Sequence, residues 1–291
     1  MGVLRKMGSF VRWRLVPTRY LTLLVGLRWS RVVRPAPARL AVTRAVQDQG
    51  FATGPALGAG VLSAIQALYR PRVNGVKPRA TGHPFENLFT ADDINADNPV
   101  FRYAFSPAVL DVAVDYFGGK PLLDSIQVLY SYPTEGEQRE SQYWHLDYGD
   151  TKSFHCVAYL NDVLTPTDGP FVFVDKQVTN QVGRSVVVRR IPDDRFDAER
   201  KTGEIRSFFG QAGSAVFVDP SACYHYGSRC KTPRLAIFVT FSSWFPFAQP
   251  VPLVRGNAQR IWAAARQVRP DLSDTFLASL LQVDTPQANT P

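Results

Sequence analysis

Residues that bind metals or carry redox chemistry are scarce in this sequence, and the scarcity narrows its chemistry. Three cysteines occur in 291 residues, Cys156, Cys223 and Cys230. They are odd in number and show no C-x-x-C spacing, which argues against a disulfide framework and fits a reducing, cytoplasmic setting. Cys223 lies two residues from His225 but reads as a small apolar strand residue. Only four histidines are present, His83, His145, His155 and His225, too few for comfort in a site built mainly of imidazoles. No internal repeat is evident. Acidic residues are nearly absent from one segment: residues 1–50 carry ten Lys or Arg against the single acid Asp48. Within that segment the longest uncharged stretch, Tyr20 to Leu27, is far too short to span a bilayer, and no clear small-residue cleavage site follows it.

What is present describes a folded enzyme with a basic arm. A chain of this length with 45% hydrophobic residues buries a large core as one domain, or as one domain plus an extension. The net charge of +8 resolves into about +9 for residues 1–50 and about −1 for the remainder. Trp13, Leu15, Tyr20, Leu21, Leu23, Leu24 and Trp29 are interleaved with the arginines of the arm. Such a mixture suits a helix lying on an anionic membrane surface. Peripheral membrane contact through residues 1–35 is therefore one expectation, and a packing arm whose arginines face solvent is the alternative. A nucleic-acid partner is not expected, because no recognised module accompanies the charge. The oligomeric state is not legible.

The chemistry concentrates in His145-Leu146-Asp147, answered 78 positions after Asp147 by His225 and then by Arg234. Two imidazoles and one carboxylate are the ligand set of non-haem Fe(II) oxygenases. His-x-Asp suits a strand, where residues i and i+2 project to the same side, and the second His must then arrive on another strand. Arg234, at the start of the apolar run Arg234 to Phe241, offers a planar, permanently charged fork for a carboxylate.

Several blocks between Ile126 and Phe241 resemble the phytanoyl-CoA dioxygenase-like branch of the Fe(II)/2-oxoglutarate-dependent oxygenases. Gln142-Tyr-Trp-His-Leu-Asp147 is similar to its metal-binding strand, Phe154 to Val163 with Asp168 to Phe173 to the strand, loop and strand that follow, and Gly213 to Gly227 to the segment bearing the distal His. The chain departs from the family at Val174-Asp175-Lys176-Gln177, where a Gly-Ser-His or similar turn is usual, and at Tyr226-Gly227. The resemblance implies that His145, Asp147 and His225 bind Fe(II) and that Arg234 grips the distal carboxylate of 2-oxoglutarate. It further implies consumption of O2, release of succinate and CO2, and hydroxylation of an unactivated C–H bond in a small-molecule or lipid-like substrate. Related halogenases carry a small residue in place of the carboxylate, so Asp147 favours hydroxylation. Gln142 and Tyr130 are candidates for further 2-oxoglutarate contacts, with core or hydrogen-bonding roles as the alternative. Lys152, Trp144 and Trp244 are secondary candidates, and His155 reads as a structural histidine. A cupin-type metal enzyme that does not use 2-oxoglutarate, or a non-catalytic membrane-associated scaffold, would account for parts of the pattern.

The elements read as helices over Leu40–Asp48 and Ala59–Tyr69, a loop-rich stretch from Arg70 to Asn98, and a helix opened by Ser106-Pro107. Short strands follow at 126–132, 142–147, 153–161, 170–174, 185–190, 213–219 and 234–242, then closing helices over Val254–Val268 and Leu272–Leu281. The expected fold is mainly β, a double-stranded β-helix or jelly roll with flanking helices. The domain is placed at residues 51–283, after a 1–50 extension and before a disordered tail at 284–291.

Overall fold

The computed structural model describes residues 38–77, 83–133, 136–184, 188–244 and 246–284. Residues 1–35, assigned to membrane contact, lie outside them, as does the tail beyond 284. No helix among the described residues is long and apolar enough to cross a membrane.

Helix α1 (Ala41–Gln49) ends at Gly50, whose φ of 96° lets its N–H return to the Val46 carbonyl. A Cβ at Gly50 would meet Cys223 Sγ at 2.1 Å, so the chain needs glycine there to pass close to the sheet. The helix buries Thr43 and Val46, and the Asp115 carboxylate accepts from the Arg39 and Leu40 amides ahead of it. The folded body thus includes residues from Ala38 onward, inside the segment read as an extension. Strand β1 (Phe51–Thr53), helix α2 (Ala59–Tyr69), strand β2 (Phe85–Asn87) and helix α3 (Pro99–Ala104) follow. β1 and β2 are too short to show a period-2 pattern, which is why sequence periodicity passes over them.

Ser106 opens its helix differently from the expectation. Its hydroxyl donates to the Tyr103 carbonyl instead of capping, and the first turn, Pro107–Asp111, is a π-turn leading into α4 (Val112–Tyr116).

The remaining strands are β3 (Pro121–Ser131), β4 (Ser153–Tyr159), β5 (Phe171–Phe173), β6 (Arg206–Phe208), β7 (Ala215–Val218), β8 (His225–Tyr226) and β9 (Arg234–Ser243). Helices α5 (Lys176–Val182) and α6 (Asp193–Glu199) interrupt them, and α7 (Pro252–Gly256), α8 (Ala258–Val268) and α9 (Asp274–Leu281) close the chain. Six strands form one antiparallel sheet in the order β1-β7-β4-β9-β3-β2, and three form a second in the order β6-β5-β8. This is the jelly roll with flanking helices.

Two expected strands are not continuous. At 142–147 the chain makes a 3-10 turn (Glu140–Gln142) and then only single bridges, Trp144 to Ile191 and His145 to His225. At 185–190, residues 185–187 lie outside the described set, and 188–190 are irregular. Apolar character suggests strands in both segments, but pairing depends on partners that sequence periodicity does not contain.

Alternation along the long strands sorts side chains between two layers. Phe154, Cys156 and Ala158 of β4, and Leu235, Ile237, Val239 and Phe241 of β9, join a core with Ile65, Phe101, Phe105, Ile261 and Leu277 from the helices. The opposite face looks into the space between the sheets. Its middle is apolar, with Val157, Tyr159, Val216 and Ala236. Its ends are polar, with Arg234 at one and Ser153, His155, Thr240 and Ser242 toward the other.

Candidate metal centre

His145 and His225 sit opposite each other across an antiparallel bridge, each amide donating to the other's carbonyl at 3.0 Å. Their rings stand 4.2 Å apart, centroid to centroid. His145 Nδ1 is 2.8 Å from the Tyr143 carbonyl and His225 Nδ1 is 3.0 Å from the Cys223 carbonyl. A carbonyl only accepts, so Nδ1 must carry the proton in both rings, which leaves each Nε2 with its lone pair exposed. Both Nε2 atoms lie 3.8 Å from Asp147 Oδ1. Asp147 reaches that place because its amide donates to the Pro220 carbonyl. All three potential ligand atoms fall within 4.8 Å of one another.

The electrostatics keep these groups ready to ligate. Burial, reinforced by His225, lowers the His145 pKa to about 3, so the ring is neutral at pH 7. Burial alone would raise the Asp147 carboxyl, but the rings of His225, His155 and His145 outweigh it and hold the pKa below its ordinary value. A neutral His145 ring beside an ionised Asp147 carboxylate has the protonation states that a divalent metal requires.

By its place in the sequence His155 reads as a structural histidine. The fold brings its Nε2 to 3.7 Å from Asp147 Oδ2, the carboxylate oxygen not shared with the other rings. Burial lowers its pKa to about 4. The available signal was the alternation in β4, which places His155 on the same face as Val157 and Tyr159.

Arg234 begins β9 opposite Ser131 of β3 and is 2% exposed. Its Nη1 donates to the Gly169 carbonyl, and its Nη2 lies 3.2 Å from Ser131 Oγ and 3.1 Å from Ser228 Oγ. Nε has no hydrogen-bond partner. Among the described residues no carboxylate lies within ion-pair distance of this guanidinium. A buried cation held only by neutral acceptors is electrostatically incomplete, and an anion would complete it. Tyr159 connects this end to the metal ligands: its hydroxyl accepts from the Phe171 amide, and the Phe171 ring lies 5.3 Å from that of His225.

The remaining candidates are placed less directly. Gln142 is buried, with its side-chain amide spent on the Ser228 carbonyl (2.7 Å) and the Arg139 amide (2.8 Å). It fixes the segment from which Ser228 reaches Arg234. Tyr130 faces the helix layer and packs against the main core, on the opposite side of β3 from Ser131, so the fold does not bring it to the site. Trp144 stacks on Phe196 at 4.0 Å and belongs to a separate apolar cluster. Trp244 is 47% exposed. Lys152 turns away to the Tyr116 ring and carbonyl.

No family model matches this chain, and no curated protein matches its sequence. Solved structures do. One is the epimerase SnoN in complex with Fe3+, alpha ketoglutarate and nogalamycin RO, at 14% identity over 72% of this chain and 85% of that one, with a TM-score of 0.51. EctD from S. alaskensis matches at 17% identity over 76% and 86%, with a TM-score of 0.54. The non-haem alpha ketoglutarate dependent carbocyclase SnoK from nogalamycin biosynthesis matches at 15% identity over 76% and 91%, with a TM-score of 0.54. The chain has the fold of the non-haem iron and 2-oxoglutarate enzymes. At these identities the likeness extends to the fold alone, and the chemistry rests on this chain's own residues.

The residues fit the cofactor pair that goes with the fold. His145, Asp147 and His225 offer one nitrogen from each of two imidazoles and one carboxylate oxygen, the facial donor set of non-haem Fe(II). Arg234 offers a buried fork without a carboxylate, the complement of the far end of 2-oxoglutarate.

Proposed function

We propose that this chain is an Fe(II)/2-oxoglutarate-dependent dioxygenase that hydroxylates an unactivated C–H bond of a small molecule. The reaction takes one oxygen atom of O2 into the substrate as a hydroxyl and the other into succinate, with release of CO2. The bound iron and co-substrate supply the oxidising power when present. The protein's residues do the rest. His145, Asp147 and His225 hold the metal on one face, their orientation set by the Tyr143 and Cys223 carbonyls and the Pro220 hydrogen bond. Arg234 takes the distal carboxylate of 2-oxoglutarate, aimed by Gly169, Ser131 and Ser228. His155 steadies Asp147. Within the superfamily, the blocks around His145, Asp168 and His225 favour the phytanoyl-CoA dioxygenase-like branch.

One observation carries the reading: two imidazoles whose Nδ1 atoms are committed to carbonyls converge with a carboxylate in a fold that also buries an arginine without a carboxylate. Asp147 in place of a small residue leaves no protein-side gap for a halide and favours hydroxylation. The test is an anaerobic titration with Fe(II) and 2-oxoglutarate, following the weak visible charge-transfer band of the pair. Wild type is expected to develop the band, and Asp147→Ala and Arg234→Met to lose it. Iron binding without a band in wild type would remove 2-oxoglutarate from the reading, and absence of iron binding would remove the metal.

A further inference from the structure

The segment that carries His145 and Asp147 has a neighbour on each side, and the one away from His225 brings a cation to the same face. Trp144 and Ile191 form an antiparallel bridge, exchanging both backbone hydrogen bonds at 3.1 and 2.9 Å. One step along this register sets Arg190 opposite His145. Directly opposed residues of an antiparallel pair project to the same face. Trp144 and Ile191 lie together in one apolar cluster, so the next row, Arg190, His145 and His225, turns to the opposite face, that of the metal ligands. The reach of the Arg190 charge agrees. Burial and the charges of the site's own groups act first, and beyond them Arg190 lowers the pKa of both His145 and Asp147.

Arg190 is weakly held where it stands. Its charged partner among the described residues is Glu140 at 3.7 Å, with the two side chains 40% and 57% exposed, and ion pairs of this kind contribute little. Its other contact is the Arg189 carbonyl at 3.4 Å. A guanidinium beside a site that gathers a divalent cation is repelled by it, and an anionic group lying between them relieves the repulsion.

A cavity of about 300 Å³ adjoins this row, with Asp147 and Tyr148 in its wall, and the Arg189 guanidinium stands 5.8 Å from the centre of the Tyr148 ring. The volume is at the small end for ligand sites. Much of the polar surface around the cavity is spent on the protein. Thr240 is engaged by Ser125 and Asp124, Asp150 accepts from the Thr151 and Ser243 amides, and the hydroxyl oxygens of Ser153 and Ser242 are buried away from the space. What faces it is mostly apolar, with Phe241, Ala248 and Val251 contributing. The carboxylates of Asp124 and Asp150 repel an anion at their end, which turns an anionic group toward Arg190.

We propose that Arg190 is a specificity-determining residue that takes the carboxylate of a compact carboxylic-acid substrate, whose apolar body fills the cavity beside Asp147. The proposal rests on the dioxygenase reading for the fate of the substrate's C–H, but not for its binding. The two arginines then serve different acids. Arg234, 2% exposed, takes a co-substrate held inside the fold, and Arg190, 40% exposed, takes a substrate that enters from solvent. Glu140 competes for Arg190 until the substrate arrives.

The experiment is calorimetric titration of the full chain at pH 7.5, anaerobic and loaded with Fe(II) and 2-oxoglutarate. The probes are cyclohexanecarboxylate and octanoate, each beside its neutral amide. Wild type, Arg190→Gln and Glu140→Gln are compared, the charge-transfer band is recorded on the same preparations, and each acid is also titrated into metal-free protein. At least one acid is expected to bind wild type about tenfold or more tightly than its amide. Arg190→Gln is expected to erase that preference while changing the affinities for the amide and for 2-oxoglutarate less than about threefold. Glu140→Gln, which removes the competing carboxylate, is expected to keep or enlarge it. Equal affinity of acid and amide in both pairs, no binding of either acid, or a preference that survives Arg190→Gln would each overturn the proposal. So would a loss of 2-oxoglutarate binding in Arg190→Gln as large as the loss of acid binding, because the arginine would then serve the co-substrate. A band without an acid preference defeats this proposal alone. An Arg190-dependent preference in metal-free protein, with no band on loading, leaves it standing and defeats the dioxygenase reading.

Discussion

Replacing Arg234 by methionine separates what this residue does for the fold from what it does for a ligand. Within the protein the guanidinium is a buried cation whose partners are one carbonyl and two hydroxyls, with no carboxylate among the described residues. Removing it orphans the Gly169 carbonyl, a loss of about 1–3 kcal/mol. The two hydroxyls keep each other, since Ser131 Oγ and Ser228 Oγ are 2.9 Å apart. Against that loss stands the relief of an unpaired buried charge, whose effective penalty is several kcal/mol, replaced by a well-packed apolar chain. The two effects oppose, so the empty variant is expected to unfold within about 2 kcal/mol of wild type, in either direction. Binding of 2-oxoglutarate behaves differently. Truncating one partner of a buried, hydrogen-bonded charge pair costs about 2–5 kcal/mol, a factor of roughly 30 to several thousand in affinity. Two assays on the same anaerobic Fe(II) samples read this: calorimetric titration with 2-oxoglutarate, and urea unfolding with and without the ligand. At a hundredfold excess over its dissociation constant, the ligand should stabilise wild type by about 2.7 kcal/mol and Arg234→Met hardly at all, with iron retained by both. The reasoning is refuted if the variant binds 2-oxoglutarate within about threefold of wild type. It is also refuted if the empty variant is grossly unfolded, because the arginine would then be structural.

Three other outcomes follow from the same geometry. His155→Gln removes the imidazole 3.7 Å from Asp147 Oδ2 and is expected to weaken iron binding by about 10–100-fold, read by competition with a chromophoric chelator; unchanged affinity would return His155 to a purely structural role. Gly169→Ala places a Cβ 2.5 Å from Cys230 Cβ at a φ of 68°, and should destabilise by about 2–4 kcal/mol. Gly75→Ala, at a φ of 87° with nothing within 4 Å, serves as the control and should cost about 1–2 kcal/mol; equal losses would deny the close approach at Gly169. Burial lowers the pKa values of His145 to about 3 and His155 to about 4, whereas histidine in the unfolded chain titrates near 6.5. Between those limits the unfolded state holds more protons, so metal-free stability is full above about pH 6.5 and is lost as pH falls toward 4. Asp124, raised to about 6, works in the opposite sense, so Asp124→Asn should steepen the loss. Urea unfolding at pH 7.5, 6 and 5 checks both, and a flat profile would contradict the burial argument.

The sequence by itself determined the elements with strong periodicity and the residues whose chemistry has few alternatives. Ala59–Tyr69 is a helix with the expected bounds, and β4 and β9 lie where alternating or continuous apolar runs placed them, because burial on a sheet leaves a period that local pattern reading detects. His145, Asp147, His225 and Arg234 were singled out because two imidazoles, one carboxylate and a strand-initial arginine form a short list of possible chemistries. The convergence of the first three belonged to the tertiary structure. His145 pairs with His225 across a single bridge, not a continuous strand, and the carbonyls that fix both rings come from Tyr143 and Cys223. Faces were also decided there. Tyr130 and Ser131 are neighbours in sequence, yet pleating sends one to the helix layer and the other to Arg234. The polar end of the inner sheet face was least legible of all. It depends on register, which pairs Ser153 with Ser242 and His155 with Thr240, and on the β3 irregularity at Asp124. Register is a property of two strands together, and a one-residue slip would turn every one of these groups to the other face.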